Sequence, residues 1–249
     1  MRTMIKSIAS AGLMASVTLT GAMAQEKKDQ SKEGFVSVFD GKSLAGWVTP
    51  DGQAKYWSVK DGAITGGDLE NRVPRNVWII LDQNRENFVM TFKVRFINGD
   101  GGGLKNSGIQ IRSIRHGSNI AGYQVDAGPP IEGKNTNGGL GYWGYMWDEH
   151  RRNRMVGTPV DAKALRPAVK DWDWNEYKIV ADGKSIKSWI NGVAALDYTE
   201  KDANIAADGL IALQAHSGGK FLVQFKDIEI KDLAPTPGSV KWADLKKKK

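Results

Sequence analysis

The sequence predicts an all-β fold, an antiparallel two-sheet sandwich or jelly roll, and three observations support it. Short segments of alternating apolar and polar residues recur every 8–12 residues along the chain, which is typical of this class. Turn dipeptides separate them, including Asp182-Gly183 and Asn191-Gly192, which are strong hairpin signals. No long segment has helical periodicity. Together these features predict roughly ten or eleven strands.

The strands follow one another from residue 34 to residue 234. "FVMTFKVRF" alternates most clearly, because Phe88, Met90, Phe92, Val94 and Phe96 would share one face. The other predicted strands lie in "FVSVFDG", "YWSVKDGAI", "SGIQIRS", "YQVDAG", "YKIVADGKSIKSWINGVAALDY", "GLIALQAH" and "KFLVQFKDIEI". No repeat or linker divides this stretch, so a single domain is expected over 34–234.

The two termini differ from this body in composition. Arg2 and Lys6 precede an apolar, small-residue run over 8–22, and Ala22-Met23-Ala24 ends it, which indicates a signal peptide over 1–24. A membrane anchor is the alternative, but the run is short of the roughly 20 residues that a span needs. Residues 25–33 are interpreted as a disordered leader and 235–249 as a tail with a lysine run. A periplasmic or secreted protein without a stable membrane span after signal cleavage is therefore predicted.

Composition excludes two classes of protein. The chain has no cysteine, so an exported domain must be held by its core and not by disulfides. Of its formal charge of +7, Arg2 and Lys6 contribute two and Lys246–Lys249 four. The body is thus close to neutral, and we expect no nucleic-acid partner.

Three predicted strands carry polar side chains opposite an apolar face. Side chains alternate across a strand, so each strand presents one polar pair: Gln110 with Arg112, Gln124 with Asp126, and Gln214 with His216. Amide, guanidinium and carboxyl groups form hydrogen bonds of fixed geometry. These pairs favour a polar binding face over an ordinary solvated sheet face.

A long loop follows the second of these strands. "GPPIEGKNTNGG" leads into "GLGYWGYMWDEHRR", residues 139–152, which combines aromatic and charged side chains. Long loops within compact domains are usually functional. Aromatic rings match the C–H faces of a pyranose, and acids and arginines match its hydroxyl groups, so a sugar site is predicted. The alternatives are core aromatics and a solvated charged turn.

An ordered set of motifs resembles the 3-keto-disaccharide hydrolase domain family. The motifs are "SVFDGKSLAGW", "WSVKDGAI", "NSGIQIRS", "GYQVDAG", "YWGYMWDEHRR", "DWNEYKIVADGKSIKSWINGV" and "GLIALQAHSGG" with "VQFKDIEIKDL". The resemblance implies a concanavalin-like jelly roll that is exported and cleaves 3-keto-glycosides or 3-keto-disaccharides, as a hydrolase or a lyase. It also implies a separate oxidoreductase that first oxidises the C3 hydroxyl of the sugar. A non-catalytic carbohydrate-binding module is the alternative, because this fold also serves lectin-like proteins.

The implied chemistry assigns roles to matched residues. A C3 ketone acidifies the hydrogen on C2, so that a general base can remove it and the enolate can expel the C1 substituent. The resemblance suggests as catalytic residues His216, Asp126, Glu149 and Arg112, with Arg112 holding the ketone or enolate oxygen. It suggests as substrate-binding residues Gln110, Gln124, Gln214, Trp143, Asp148 and Arg152, with Trp143 as the sugar platform and with Asp148 and Arg152 able to fix the loop.

The match departs from the family at one strand. Many relatives carry Glu then Gln in the "YxVx" strand, where this chain has Gln124 and Asp126, so the acid is two residues further along the same face. No cofactor is required by the sequence. A divalent metal at Asp126, Glu149 and His216 remains open, although no ligand-spacing motif supports it.

Overall fold

A computed structural model of the chain describes residues 33–99 and 102–246. The predicted signal peptide and all but the last residue of the predicted leader lie outside these residues. Two antiparallel sheets form the described part of the chain. The first sheet contains, in spatial order, β13 (Val193–Thr199), β12 (Ser185–Ile190), β11 (Asn175–Asp182), β6 (Phe88–Asn98), β15 (Phe221–Asp232), β4 (Ala63–Asp68) and β3 (Trp57–Lys60), with β1 (Val36–Ser37) beside β15.

The second sheet carries the polar strands near its centre. Its order is β10 (Arg154–Gly157), β9 (Met146–Glu149), β8 (Asn119–Ala127), β7 (Ser107–His116), β14 (Gly209–Ala215), β5 (Val77–Arg85) and β2 (Trp47–Val48). The all-β sandwich prediction is confirmed. The sequence did not indicate β9, which lies in the segment 139–152, or β10, which follows it. These two strands pair with each other, and β9 also pairs with β8 toward the edge of the sheet.

The core lies between the two sheets and follows the alternation of the strands. The five alternating apolar residues of β6 named above, from Phe88 to Phe96, are at most 1% exposed. On the second sheet the inward residues of β7, β8 and β14 join the same core; they are Ile109, Ile111, Tyr123, Val125, Ala127, Ile211, Leu213 and Ala215. The alternate residues of these strands are therefore turned away from the first sheet, and this side is called the outer face below.

Strand β7 contains a bulge at Arg112, which corrects one prediction. Arg112 has φ +49°. The register between β7 and β8 shifts between Ile111 and Ile114. The register between β7 and β14 shifts at the same place, between Leu210 and Ala212 of β14. A bulge breaks the regular alternation of a strand. Arg112 therefore does not share the outer face with Gln110, contrary to the prediction.

Glycines on both neighbouring strands make room for this bulge. A Cβ atom on Gly122 would lie 2.3 Å from Ser113 Oγ, and one on Gly209 would lie 2.3 Å from the carbonyl oxygen of Ser113. Both glycines also have φ +144°, a conformation that other residues rarely adopt. The bulge is thus built into three adjacent strands.

Helix is scarce in residues 33–99 and 102–246. α1 (Ala162–Leu165) is capped by the Asp161 side chain, and α2 (Trp242–Lys246) follows the last strand. None of the helices in these residues is long and apolar enough to cross a membrane. Much of the predicted tail in fact packs on the domain, because Val240 O accepts from Ala207 N at 2.8 Å and Trp242 Nε1 donates to Arg112 O at 3.1 Å. Residues on the C-terminal side of the predicted boundary at 234 thus contact the predicted domain.

Candidate functional site

Three of the predicted substrate-binding residues and one predicted catalytic residue form one hydrogen-bonded cluster on the outer face. Gln110 lies opposite Gln124 in the pairing of β7 with β8, and its Nε2 donates to Gln124 Oε1 at 3.1 Å. Gln124 Nε2 donates in turn to Asp126 Oδ1 at 2.7 Å and to Gln214 Oε1 at 3.2 Å. We call Gln110, Gln124, Asp126 and Gln214 the amide–acid cluster. Its members are at most 4% exposed, so their directional hydrogen bonds define a rigid polar site.

A glycine in the middle strand allows the cluster to form. Gly108 is paired with Asp126, and a Cβ atom at this position would lie 2.4 Å from Gln124 Cγ. The Gln124 side chain therefore crosses β7 above Gly108 to reach Gln214 on β14. Any larger residue at position 108 would displace the central amide of the cluster.

Asp126 is a buried carboxyl group with little to stabilise its charge. Burial raises its pKa well above the ordinary value, and the nearby Glu149 carboxylate raises it further, while the hydrogen bond from Gln124 opposes these effects. Burial thus favours the protonated form of Asp126, and a protonated carboxyl group can act as a general acid.

Glu149 belongs to the same electrostatic environment. It lies on β9 with Gly122 as its partner on β8. Burial raises its pKa, with a further contribution from the Asp148 carboxylate. His150 Nε2 lies 3.3 Å from its Oε1. The two acids predicted from the sequence, Asp126 and Glu149, are thus coupled through charge.

His216 follows β14 on the polar side of the sheet. Its backbone N donates to Asn106 O at 3.1 Å, and its Nδ1 lies 2.8 Å from Ser217 O. Because a carbonyl oxygen only accepts, this hydrogen bond places the proton on Nδ1 and leaves Nε2 as an acceptor. Burial lowers the pKa of the ring. The neutral imidazole with Nε2 unprotonated is the form that a general base requires.

Trp143, the predicted sugar platform, lies in the core. Trp143 is 0% exposed, its ring packs edge-on against Phe96 with centroids 5.7 Å apart, and its Nε1 donates to Asp171 Oδ1 at 3.0 Å. Trp147 instead lies opposite Gln124 on the outer face and is partly exposed. The alternation of β9 would have indicated this residue, but the sequence did not show where that strand begins.

Asp148 and Arg152 belong to the inner side of the sheet and not to the amide–acid cluster. Asp148 pairs with Arg152 and, at 2.9 Å, with Arg151 Nε. Arg152 NH2 also contacts Glu200 Oε2 at 2.7 Å. These ion pairs can fix the loop, the other role suggested for the two residues, and their substrate-binding role stays a prediction.

Arg112 is likewise fully engaged elsewhere. Its guanidinium donates to Glu86 O at 2.8 Å, to Gly183 O at 2.7 Å and to Asn87 Oδ1 at 2.8 Å. These partners lie in the turns that follow β5 and β11. Arg112, predicted to hold the ketone or enolate oxygen, thus has its side chain directed by the bulge toward this end of the sandwich.

Sequence reasoning missed the fourth strand of the site. Trp78 on β5 is paired with Gln214 on β14 and shares the outer face with the apolar residues Ile80, Ile120, Leu210 and Ala212. The segment "VWIIL" is apolar throughout, so it gave no periodicity from which the direction of the Trp78 side chain could be inferred.

The metal option finds no support in the structure. Within residues 33–99 and 102–246, no three His, Cys, Asp or Glu side chains lie close enough together to hold a metal ion. Asp126, Glu149 and His216 thus do not form a ligand set there.

The sheet topology defines an antiparallel β-sandwich domain with a buried polar face. The chain belongs to the 3-keto-alpha-glucoside-1,2-lyase-like domain family, whose sequence model matches residues 34–231. This is the family suggested by the motifs of the sequence. No curated protein matches the chain.

Solved structures share the fold at low sequence identity. A candidate glycosyl hydrolase from Parabacteroides distasonis ATCC 8503 has a TM-score of 0.58 and 18% identity, over 82% of this chain and 96% of that one. A Bacillus subtilis protein with a galectin-like fold has a TM-score of 0.53 and 10% identity, over 76% and 90%. The lumenal domain of VIP36, solved with Ca²⁺ and Man₃GlcNAc, has a TM-score of 0.52 and 10% identity, over 83% and 92%. These likenesses show the concanavalin-like jelly-roll architecture.

Proposed function

We propose that this protein is an exported enzyme that cleaves 3-keto-glycosides on the outer face of its second sheet. The observation that carries the proposal is the presence of a buried carboxyl group on β8 and an imidazole at the end of β14, two strands separated only by β7. Asp126 has a raised pKa inside the amide–acid cluster, and His216 has a lowered pKa and an acceptor at Nε2. Opposite shifts of this kind assign an acid and a base.

The reaction begins with proton removal beside the ketone. His216 Nε2 accepts the C2 hydrogen as a proton, and the electron pair of the broken bond forms an enolate with the C3 carbonyl. The amides of the cluster bind sugar hydroxyl groups, and Trp147 stacks on the ring. No nucleophilic carboxylate is needed, in contrast to ordinary glycosidases.

Cleavage follows from collapse of the enolate. A double bond forms between C1 and C2, the bond from C1 to the glycosidic oxygen breaks, and Asp126 supplies the proton to the leaving oxygen. Water can then add across the double bond. The substrate must come from an oxidoreductase that converts a C3 hydroxyl to a ketone.

The test compares 3-keto-glucosides with their unoxidised parents in deuterated water, followed by mass spectrometry. We expect cleavage of the keto forms alone, giving a 1,2-unsaturated product without the C2 hydrogen or a hydrated product with deuterium at C2. Cleavage that retains the C2 hydrogen would indicate direct hydrolysis. Binding of both sets without turnover would instead identify a lectin-like module.

Variants assign the two roles. His216→Gln and Asp126→Asn should each abolish most of the turnover, whereas His116→Gln and Asp197→Asn alter exposed residues and should not. In the unaltered protein kcat/KM should fall at acid pH as His216 becomes protonated and at alkaline pH as Asp126 loses its proton. A flat pH profile would contradict the assignment.

A further inference from the structure

Arg112 was predicted to hold the enolate oxygen, but its guanidinium donates to Glu86, Gly183 and Asn87. The enolate oxygen of the proposed reaction therefore needs other donors. Residues 33–99 and 102–246 contain eight buried side-chain atoms that have no hydrogen-bond partner there. Two of them, Trp78 Nε1 and Gln214 Nε2, belong to residues that are directly paired on the outer face. Buried donors without partners are rare, because each costs free energy that folding must offset.

Local contacts hold both donors in place. Gln214 Oε1 accepts from Gln124 Nε2 at 3.2 Å, which fixes the amide and leaves Nε2 as its unused end. Trp78 is held through its backbone, since its N donates to Gln53 Oε1 at 2.6 Å. Side chains of directly paired residues have Cβ atoms about 5 Å apart, so the two unpartnered donors belong to neighbouring side chains of the outer face.

The chemistry of the pair indicates what it binds. An indole N–H is a donor only, and so is the amide nitrogen, so their common ligand must supply an acceptor. Both residues are 0% exposed, and a hydrogen bond in such a low-dielectric environment is strong. Access to them requires movement of the residues that cover them. His216 lies two residues after Gln214, so the proposed base follows the same strand on the same side of the sheet.

We propose that Trp78 Nε1 and Gln214 Nε2 form the oxyanion site that holds the C3 ketone oxygen and the enolate of the substrate. This inference rests on the proposed function. When the C2–H bond breaks and the proton moves to His216, the C2–C3 double bond forms and the negative charge passes to the C3 oxygen. The two donors stabilise that charge until the C1–O bond breaks. Trp78 is thereby a catalytic residue, and Gln214 acts at the ketone and not only at a hydroxyl group.

The experiment isolates enolisation from cleavage. The probe is 1,5-anhydro-3-keto-glucitol, which has no group to expel at C1, and the readout is exchange of its C2 hydrogen in deuterated water. Trp78→Phe keeps the ring and removes the N–H donor. We expect it to slow the exchange about 100-fold, the typical effect of losing one oxyanion donor. Gln214→Glu keeps the acceptor for Gln124 and should have an effect at least as large.

Trp57→Phe is the matched control. Trp57 Nε1 is also buried without a partner, but its ring packs in the core between the sheets. Removal of its N–H should leave the exchange rate unchanged. In a spectrum of indole N–H groups, the signal absent from Trp78→Phe should move downfield with the keto probe and not with 1,5-anhydroglucitol.

The outcomes separate this inference from the proposed function. If the unaltered protein exchanges the C2 hydrogen and Trp78→Phe behaves like Trp57→Phe, the oxyanion assignment is wrong and the proposed function stands. If the unaltered protein neither exchanges the probe nor cleaves 3-keto-glucosides, both fail together.

Discussion

Asp126 is the residue whose surroundings matter most for the proposed chemistry, and they also affect stability. The pKa of Asp126 is higher in the folded state than its ordinary value of 3.8. Its protonation therefore stabilises the fold. This contribution is complete at pH values below 3.8 and is lost as pH rises through the pKa of the folded state. Asparagine can keep the acceptor for Gln124 and never ionises. Asp126→Asn should therefore unfold at higher urea concentration than the unaltered protein at pH 7.5, although it is inactive.

The same measurement at low pH is the internal control. Near pH 3.5, Asp126 is largely protonated in both the folded and the unfolded chain, so the difference in urea midpoint should disappear. Asp197→Asn, at an exposed position of β13, should change little at neutral pH. A destabilised Asp126→Asn at pH 7.5 would mean that the fold stabilises the ionised carboxylate.

Two neighbouring tryptophans should separate core from site. Trp143 is fully buried, so Trp143→Ala should lower the free energy of unfolding by about 3–5 kcal/mol. Trp147 is partly exposed beside Gln124, so Trp147→Ala should instead weaken sugar binding by up to about tenfold. Urea unfolding and ligand titration of both variants would test this. The reverse pattern would restore Trp143 as the platform.

At the scale of single elements, the bulge in β7 decides the role of Arg112. Its three hydrogen bonds join β7 to the turns after β5 and β11. Arg112→Lys cannot reproduce this fork of donors, and we expect a loss of about 2–4 kcal/mol of stability. Turnover per folded molecule should stay close to that of the unaltered protein.

This prediction opposes the role that the family resemblance suggested. If Arg112→Lys kept its stability and lost turnover, Arg112 would contact the substrate after all. Unfolding curves and activity below the melting temperature, measured on the same preparation, distinguish the two cases.

The sequence predicted the outer-face positions of Gln110, Gln124, Asp126 and Gln214 because their strands alternate regularly. It failed at Arg112, where one inserted residue reverses the direction of the side chain. Gly122 and Gly209, the glycines that permit the bulge, are visible in the sequence. That both lie against Ser113 becomes apparent only when the three strands are paired.

At the scale of the whole molecule, the C-terminal segment closes one end of the sandwich. Glu86 accepts from Thr236 N at 2.9 Å and from Ser239 Oγ at 2.7 Å, and it also pairs with Lys241. Trp242 N donates to Asp208 Oδ1 at 2.9 Å. Truncation after residue 234 removes these contacts and should lower the melting temperature by roughly 5–10 °C.

A shorter truncation provides the comparison. Removal of residues 247–249 alone keeps every contact just named and should leave the melting temperature unchanged. Equal melting temperatures for the long truncation and the full chain would show that residues 235–249 are a tail in the sense that the sequence suggested.

The sequence by itself determined the class of fold, the family and the polar residues of three strands, because each depends on local alternation or on motifs in order. Only the tertiary structure decided which of the predicted residues meet. Trp143, Asp148, Arg152 and Arg112 were predicted for the same site, yet none of them lies in the amide–acid cluster. Trp78 becomes part of the site through its pairing with Gln214, a partner 136 residues away. Strand pairing and bulges act between distant segments, so no local pattern could specify them.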